Sequence, residues 1–229
     1  MKGRRYGPRS PSWGVRLTVD RPLRERFPGL DAYLVEVRAL TVRERDKRID
    51  AFVEVLTAEF REHLDLATLK DEPTLRAYRD FYWRVGTDPT KIRPASEALL
   101  RRVLQGRELP RINTLVDAYN LASMKTRISI AAFDLSRLQG DLTMRFARPG
   151  ETFLGIGMAA PVVLKGHEVV VQDGEALVAI YPYRDAEATK VTTEVRDTLF
   201  MTCGVPGIPM EDLVGAAETT REFVERFCR

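Results

Sequence analysis

Three polar residues at helical spacing, Asn113, Asp117 and Asn120, are the first candidates for chemistry in this sequence. Positions i, i+4 and i+7 share one face of a helix. Their neighbours Leu115, Val116, Tyr119 and Leu121 are apolar and point elsewhere. Such a stripe has two readings. It can present hydrogen-bonding groups to a ligand, or it can satisfy backbone groups of neighbouring irregular loops. Six cations crowd the segment just before it: Lys91, Arg93, Arg101, Arg102, Arg107 and Arg111. Arg84 adds a seventh, against Asp88, Glu97 and Glu108. Phosphate contact explains such a density, because cations that displace condensed counterions supply most nonspecific nucleic-acid affinity. A solvated helix face explains it equally well.

Other chemistries find less support. His63 and His167 are far apart, and neither has a cysteine or histidine at ligand spacing. A nucleophile elbow of the GxSxG type does not occur. Gly155-Ile156-Gly157 lacks the third glycine and following helix of a dinucleotide fingerprint, and no P-loop is present. No metal and no cofactor are expected. Cys203 and Cys228 show no CxxC pattern, so reduced thiols and a cytoplasmic location are expected.

The elements that must position these residues are legible from periodicity. Val15–Val19 and Ala32–Leu40 alternate as strands, with a break at Phe27–Gly29. Arg43–His63 is a helix with Ile49, Phe52, Val53, Leu56 and Phe60 on one stripe. Pro73–Val85 is a second, with Leu75, Tyr78, Phe81 and Tyr82 inward. Pro94 can open a third, with Leu99, Leu100, Val103 and Leu104 inward, and Gly106 can end it. Ile112–Met124 is a fourth. Strands then follow near Ile128–Phe133, Asp141–Phe146, Thr152–Ile156, Glu168–Val171, Ala176–Tyr181 and Thr198–Cys203. A closing helix runs from Pro209 to Cys228, with Leu213, Ala217, Phe223, Val224 and Phe227 inward. Helices in one block and strands in another argue an α+β class.

The chain has 229 residues, 36 Lys and Arg against 33 Asp and Glu, and a net charge of +3. Residues 1–30 alone carry eight basic and two acidic side chains, so a basic leading segment precedes a mildly acidic body. A flexible basic arm is expected over residues 1–12 and one domain over 13–229. The longest uncharged run, Thr152–Leu164, is too short for a membrane helix, and no secretory signal is read at the start.

Leu109–Phe153 carries a recognisable constellation: Asn113, Val116-Asp117, Asn120, Ala132-Phe133-Asp134 and Ala147-Arg148-Pro149-Gly150-Glu151. In this order and spacing they resemble the B3/B4 domain of the phenylalanyl-tRNA synthetase β subunit. Asp88–Gly106 resembles stand-alone relatives of that domain, and Val191–Phe200 is similar to a later family segment. The resemblance covers roughly residues 80–203. It implies an α+β sandwich of mainly antiparallel sheets with flanking helices. It also implies a link to tRNA, since the domain in the synthetase hydrolyses tyrosine wrongly attached to the phenylalanine tRNA.

Three departures fall on the family's editing pocket. The family's histidine before its Ala-Phe-Asp is Ala131 here. Lys190 takes the place of its glutamate, and its glycine-rich lining becomes Ile180-Tyr181-Pro182-Tyr183-Arg184. Tyr183 and Arg184 would fill space that glycine leaves open to a ligand. Asn113, Asp117, Asn120 and Asp134 then read as fold-defining polar residues. The expected function is a stand-alone module that binds tRNA or another RNA. The alternatives are a trans-acting aminoacyl-tRNA deacylase with a rearranged pocket, in which Thr126, Arg184 or Lys190 replaces the missing groups, and a binder of an amino-acid-like small ligand. Aminoacylation is not implied.

Overall fold

The computed structural model describes residues 14–174 and 176–229. The basic arm expected over residues 1–12 lies outside them. Strand β1 (Leu17–Val19), helix α1 (Arg21–Arg26) and strand β2 (Ala32–Val37) come first. Four helices follow: α2 (Lys47–His63), α3 (Pro73–Arg84), α4 (Ala95–Leu104) and α5 (Thr114–Thr126). The chain then turns extended, through β3 (Ser129–Asp134), β4 (Leu142–Phe146), β5 (Thr152–Phe153), β6 (Val162–Val163), β7 (Val169–Asp173), β8 (Ala176–Ile180), β9 (Arg184–Asp185) and β10 (Thr198–Cys203). Helix α6 (Met210–Cys228) closes it.

These elements stack in layers. One sheet has the order β1-β4-β7-β8-β9, a second β2-β10-β3, and β5-β6 form a short ribbon. All pairings are antiparallel except β1 with β4. Strand periodicity of two dictates what each face buries. Ala131, Phe133, Leu199 and Met201 of the smaller sheet meet Leu142, Met144, Val169, Val171 and Val178 of the larger one. The alternate residues Val35, Val37, Ile130, Ala132 and Phe200 face α2, α4, α5 and α6. Val170 and Ile180, on the outer face of the larger sheet, are covered by Phe153 and Leu164 of the ribbon. The smaller sheet is thus apolar on both sides, which is why every residue of β3 and β10 is buried.

The inward residues expected for α3 (Leu75, Tyr78, Phe81, Tyr82) and α6 are buried. Tyr78 stitches α3 to the smaller sheet: its hydroxyl accepts from Ser129 N at 3.0 Å and donates to the Cys203 carbonyl. Gly106 takes a positive φ of 72° just beyond α4, as its placement after the helix anticipates. Cys203 and Cys228 are free, buried thiols.

The differences have local causes. Helix α1 precedes the expected break at Phe27–Gly29, in a stretch to which no element was assigned; Asp20 caps it, accepting from Leu23 N at 2.9 Å, but six residues are too few to show a repeating stripe. Helix α2 starts at Lys47 rather than Arg43 because Asp46 caps it, accepting from Arg48 N. Strand β5 stops at Phe153, and only Gly155 continues the pairing, as a single bridge to Ala186. Among the described residues, no helix is long and apolar enough to cross a membrane.

Candidate functional site

The polar stripe of α5 serves its own loop. Asn113 is the helix cap, its side-chain oxygen accepting from Val116 N at 2.9 Å. Asp117 accepts from Ile112 N at 3.0 Å and from the Arg111 guanidinium at 2.8 Å. Arg111 also reaches Asp50 of α2. Asn113 and Asp117 therefore satisfy backbone groups, the second of the two readings open from sequence. Asn120 lies beside a cleft of about 10 Å³ lined by Val53, Leu99, Leu109 and Pro110, room for about one water.

The other candidates are also engaged. Thr126 donates to Ala122 O at 2.8 Å within the last turn of α5. Asp134 ends β3, accepting from Ser136 N at 3.0 Å and from Arg137 at 3.2 Å. The half-buried Tyr183 packs on Tyr82, with ring centroids 5.9 Å apart. Arg184 lies along the surface and donates to Ile156 O at 2.9 Å. A Cβ on Gly155 would come within 2.5 Å of its side chain, which would have to shift to admit one. Lys190 pairs with Glu187. Ala131, at the family's histidine position, is buried in the core between the sheets.

A residue that sequence reasoning missed lies among them. Asp185, on edge strand β9, accepts from Ala132 N at 3.2 Å. Strand β3 is itself the edge of the smaller sheet, so this N–H points away from β10 and has no ladder partner. The carboxylate thus joins the edges of two sheets. Burial dominates its electrostatics and pushes its pKa up to about 7, against the weaker opposing effects of the Ala132 N–H and Arg184. Only the two residues of β9 carry the signal, and a strand that short has no readable period.

The basic residues divide into two groups. Arg101 and Arg111 are structural. Arg101 and Arg79 both bind Glu97, which is wholly buried, and Arg111 holds the start of α5. Arg102 caps the loop after α4 by donating to Glu108 O. Lys91, Arg93 and Arg107 are exposed, with Lys91 4.0 Å from Asp88. Arg93 and Arg107 lie beyond the two ends of α4, a helix about 15 Å long.

The two basic stretches of the sequence meet at one ring. Arg84, at the end of α3, lies over Phe27 at 4.7 Å, and Arg26, at the end of α1, lies near the same ring at 5.8 Å. Arg84 also donates to Arg26 O at 3.3 Å. Arg21 and Arg24, the other cations of α1, are exposed as well, with Arg21 paired to Glu25 at 2.7 Å and Arg24 donating to Val19 O at 2.7 Å. Arg84 is the seventh cation of the basic segment read from the sequence, whereas Arg26 was not singled out as an interface candidate, because their contact spans 58 positions.

This geometry can be set beside known proteins. A solved N-terminal fragment of the phenylalanyl-tRNA synthetase β subunit from Pyrococcus horikoshii superposes with a TM-score of 0.50 at 14% identity, over 98% of this chain and 51% of that one. That likeness supports the layered α+β fold. The phenylalanine–tRNA ligase β subunit of Fusobacterium nucleatum is 30% identical over 86 residues, which is 38% of this chain and 11% of that protein. The chain therefore spans about half of the solved fragment and about a tenth of the curated relative. The family model of the B3/4 domain matches residues 77–227, most of the layered body and every candidate of its inter-sheet seam; the chain belongs to the B3/4 domain family.

Proposed function

We propose that this B3/4-family chain binds RNA, with tRNA as the expected ligand, through the strip formed by α1 and the end of α3. The observation that carries the reading is the meeting of Arg26 and Arg84 at Phe27. Two basic segments remote in sequence form one surface there on a body that is otherwise mildly acidic. Lys91 and Arg93, in the loop that follows α3, extend the same basic stretch. The relationship to phenylalanine–tRNA ligase β subunits supports tRNA as the ligand to try first and the cytoplasm as its location. Filter binding at low salt should give micromolar or tighter affinity that falls steeply as salt rises. Undetectable binding of any tRNA at low salt would remove this reading.

A second reading, hydrolysis of an aminoacyl ester on tRNA, is favoured by one observation. Asp185 is a partly exposed carboxylate whose pKa stands near neutrality, the range in which a general base can activate water. It lies beside Ala132, next to the residue that replaces the family's histidine. Incubation with a panel of mischarged tRNAs should then show release that Asp185→Asn abolishes. Release at the uncatalysed rate throughout the panel would eliminate the deacylase. The same panel of free amino acids, screened by thermal shift, tests the small-ligand alternative, since a ligand of the folded state must raise its stability.

A further inference from the structure

Helix α3 carries four aromatic side chains, and they divide sharply. Tyr78, Phe81 and Tyr82 are buried against the sheets, while Trp83 is 58% exposed. Helical spacing explains the split, because positions 76, 80, 83 and 84 fall on the solvent side of a helix whose inner face is 75, 78, 81 and 82. A large flat apolar ring left in water forgoes the burial that its area would normally supply. Charges of both signs surround it. Arg76 bridges Asp80 at 3.0 Å and Asp71 at 3.7 Å, so, among the described residues, the cation next to the ring that is free of a carboxylate partner is Arg84. Arg84, the next residue, is held over Phe27 and bonded to Arg26 O. Its guanidinium is therefore ordered before any ligand arrives, which lowers the entropic cost of a phosphate contact.

An exposed indole one helical position from a guanidinium held at Phe27 can combine base stacking with a phosphate contact from the neighbouring turn. Bases in a duplex have their faces covered by neighbours, and the A-form groove hides their edges from side chains. Only unpaired nucleotides can offer a free face to an aromatic ring. We infer that Trp83 is a base-stacking platform and that the RNA bound at this strip is engaged through unpaired nucleotides, such as a single-stranded end or loop. The inference rests on the RNA-binding reading above and narrows it to a substrate class.

The test uses the full chain and its own fluorescence. Trp13 is the chain's other tryptophan, so Trp83→Phe separates the two signals. A single-stranded adenosine octamer should quench emission saturably, and Trp83→Phe should abolish most of the quench while keeping much of the affinity. Trp83→Ala should weaken binding of the octamer about tenfold or more, by the usual cost of losing one stacked base. A blunt RNA duplex of equal length should bind more weakly than the octamer and be indifferent to Trp83→Ala. Circular dichroism confirms that each variant is folded. Equal binding of duplex and single strand with no effect of Trp83→Ala overturns the inference and leaves the RNA reading standing. So does a quench that survives Trp83→Phe. No binding of either RNA at low salt overturns both.

Discussion

Asp185 shows how one side chain can serve the fold at a cost. Its oxygen satisfies the Ala132 N–H of an edge strand, a donor that would otherwise be orphaned between the sheets. The charge is less welcome than the oxygen, and burial holds the carboxyl near pKa 7 against an ordinary 3.8. A carboxyl raised in the folded state costs nothing below its unfolded pKa, where both states are protonated. The penalty grows as pH rises from about 4 to about 7 and is constant above. Asp185→Asn keeps an acceptor for Ala132 and removes the charge. It should be close to neutral at pH 4 and stabilising by about 2 kcal/mol at pH 8, after discounting the full shift for partial exposure. Chemical denaturation at the two pH values reads this. An equal effect at both would show that the charge is not the reason.

At the scale of elements, α4 rests on a buried ion triad. Glu97 has no exposed side-chain surface, and it takes Arg79 from α3 at 3.0 Å and Arg101 from its own helix at 2.7 Å. Removing the acid leaves two guanidiniums, each with little exposure, facing one another. Glu97→Ala should therefore cost about 3–5 kcal/mol, seen as a lower denaturation midpoint with an unchanged slope. A loss under about 1 kcal/mol would mean that the arginines relax to solvent. Asp46 makes a milder case: its carboxyl caps α2 and bonds Arg48, which holds its pKa at about 2. Asp46→Ala should cost about 1 kcal/mol at neutral pH. The cap's contribution is present above the ordinary carboxylate pKa and is lost as pH falls through 2, so the variant and the parent should converge in strong acid. The elements also set what was legible. Helices α2, α3 and α6 show several turns of apolar stripe, and β10 runs over the span expected for it, Thr198–Cys203. The six-residue α1 and the two-residue β6 and β9 carry fewer than two periods, too few for a repeat to show. The buried acid of α4 was equally opaque, because Glu97 beside Arg101 reads as an ordinary surface pair until α3 covers it.

At the scale of the whole molecule, the order of layers decides which charges remain available. The helical layer covers one face of the smaller sheet and takes Arg79, Arg101 and Arg111 into its ion pairs. Helix α1 and the end of α3 lie instead at the rim of the core between the sheets, where Phe27 and Phe81 pack edge to face at 5.2 Å. Cations that project from this rim stay in solvent. Composition could count the basic residues but could not sort them, since sorting needs the partner on the other element. The division gives a quantitative expectation for RNA binding. Each phosphate contact contributes about 0.7 to the slope of log affinity against log salt for single strands. Arg84→Gln and Arg26→Gln should each weaken binding across all RNA sequences and flatten that slope by about 0.7, additively if each meets its own phosphate. Arg107→Gln, beyond the far end of α4, should leave both affinity and slope unchanged, and it controls for the loss of one net charge. Titrations at four or more salt concentrations measure the slope. If all three variants flatten it alike, the protein's overall charge attracts RNA and the strip at Phe27 has no special part. If only the rim variants do, the contact between segments that lie far apart in sequence is what makes the interface.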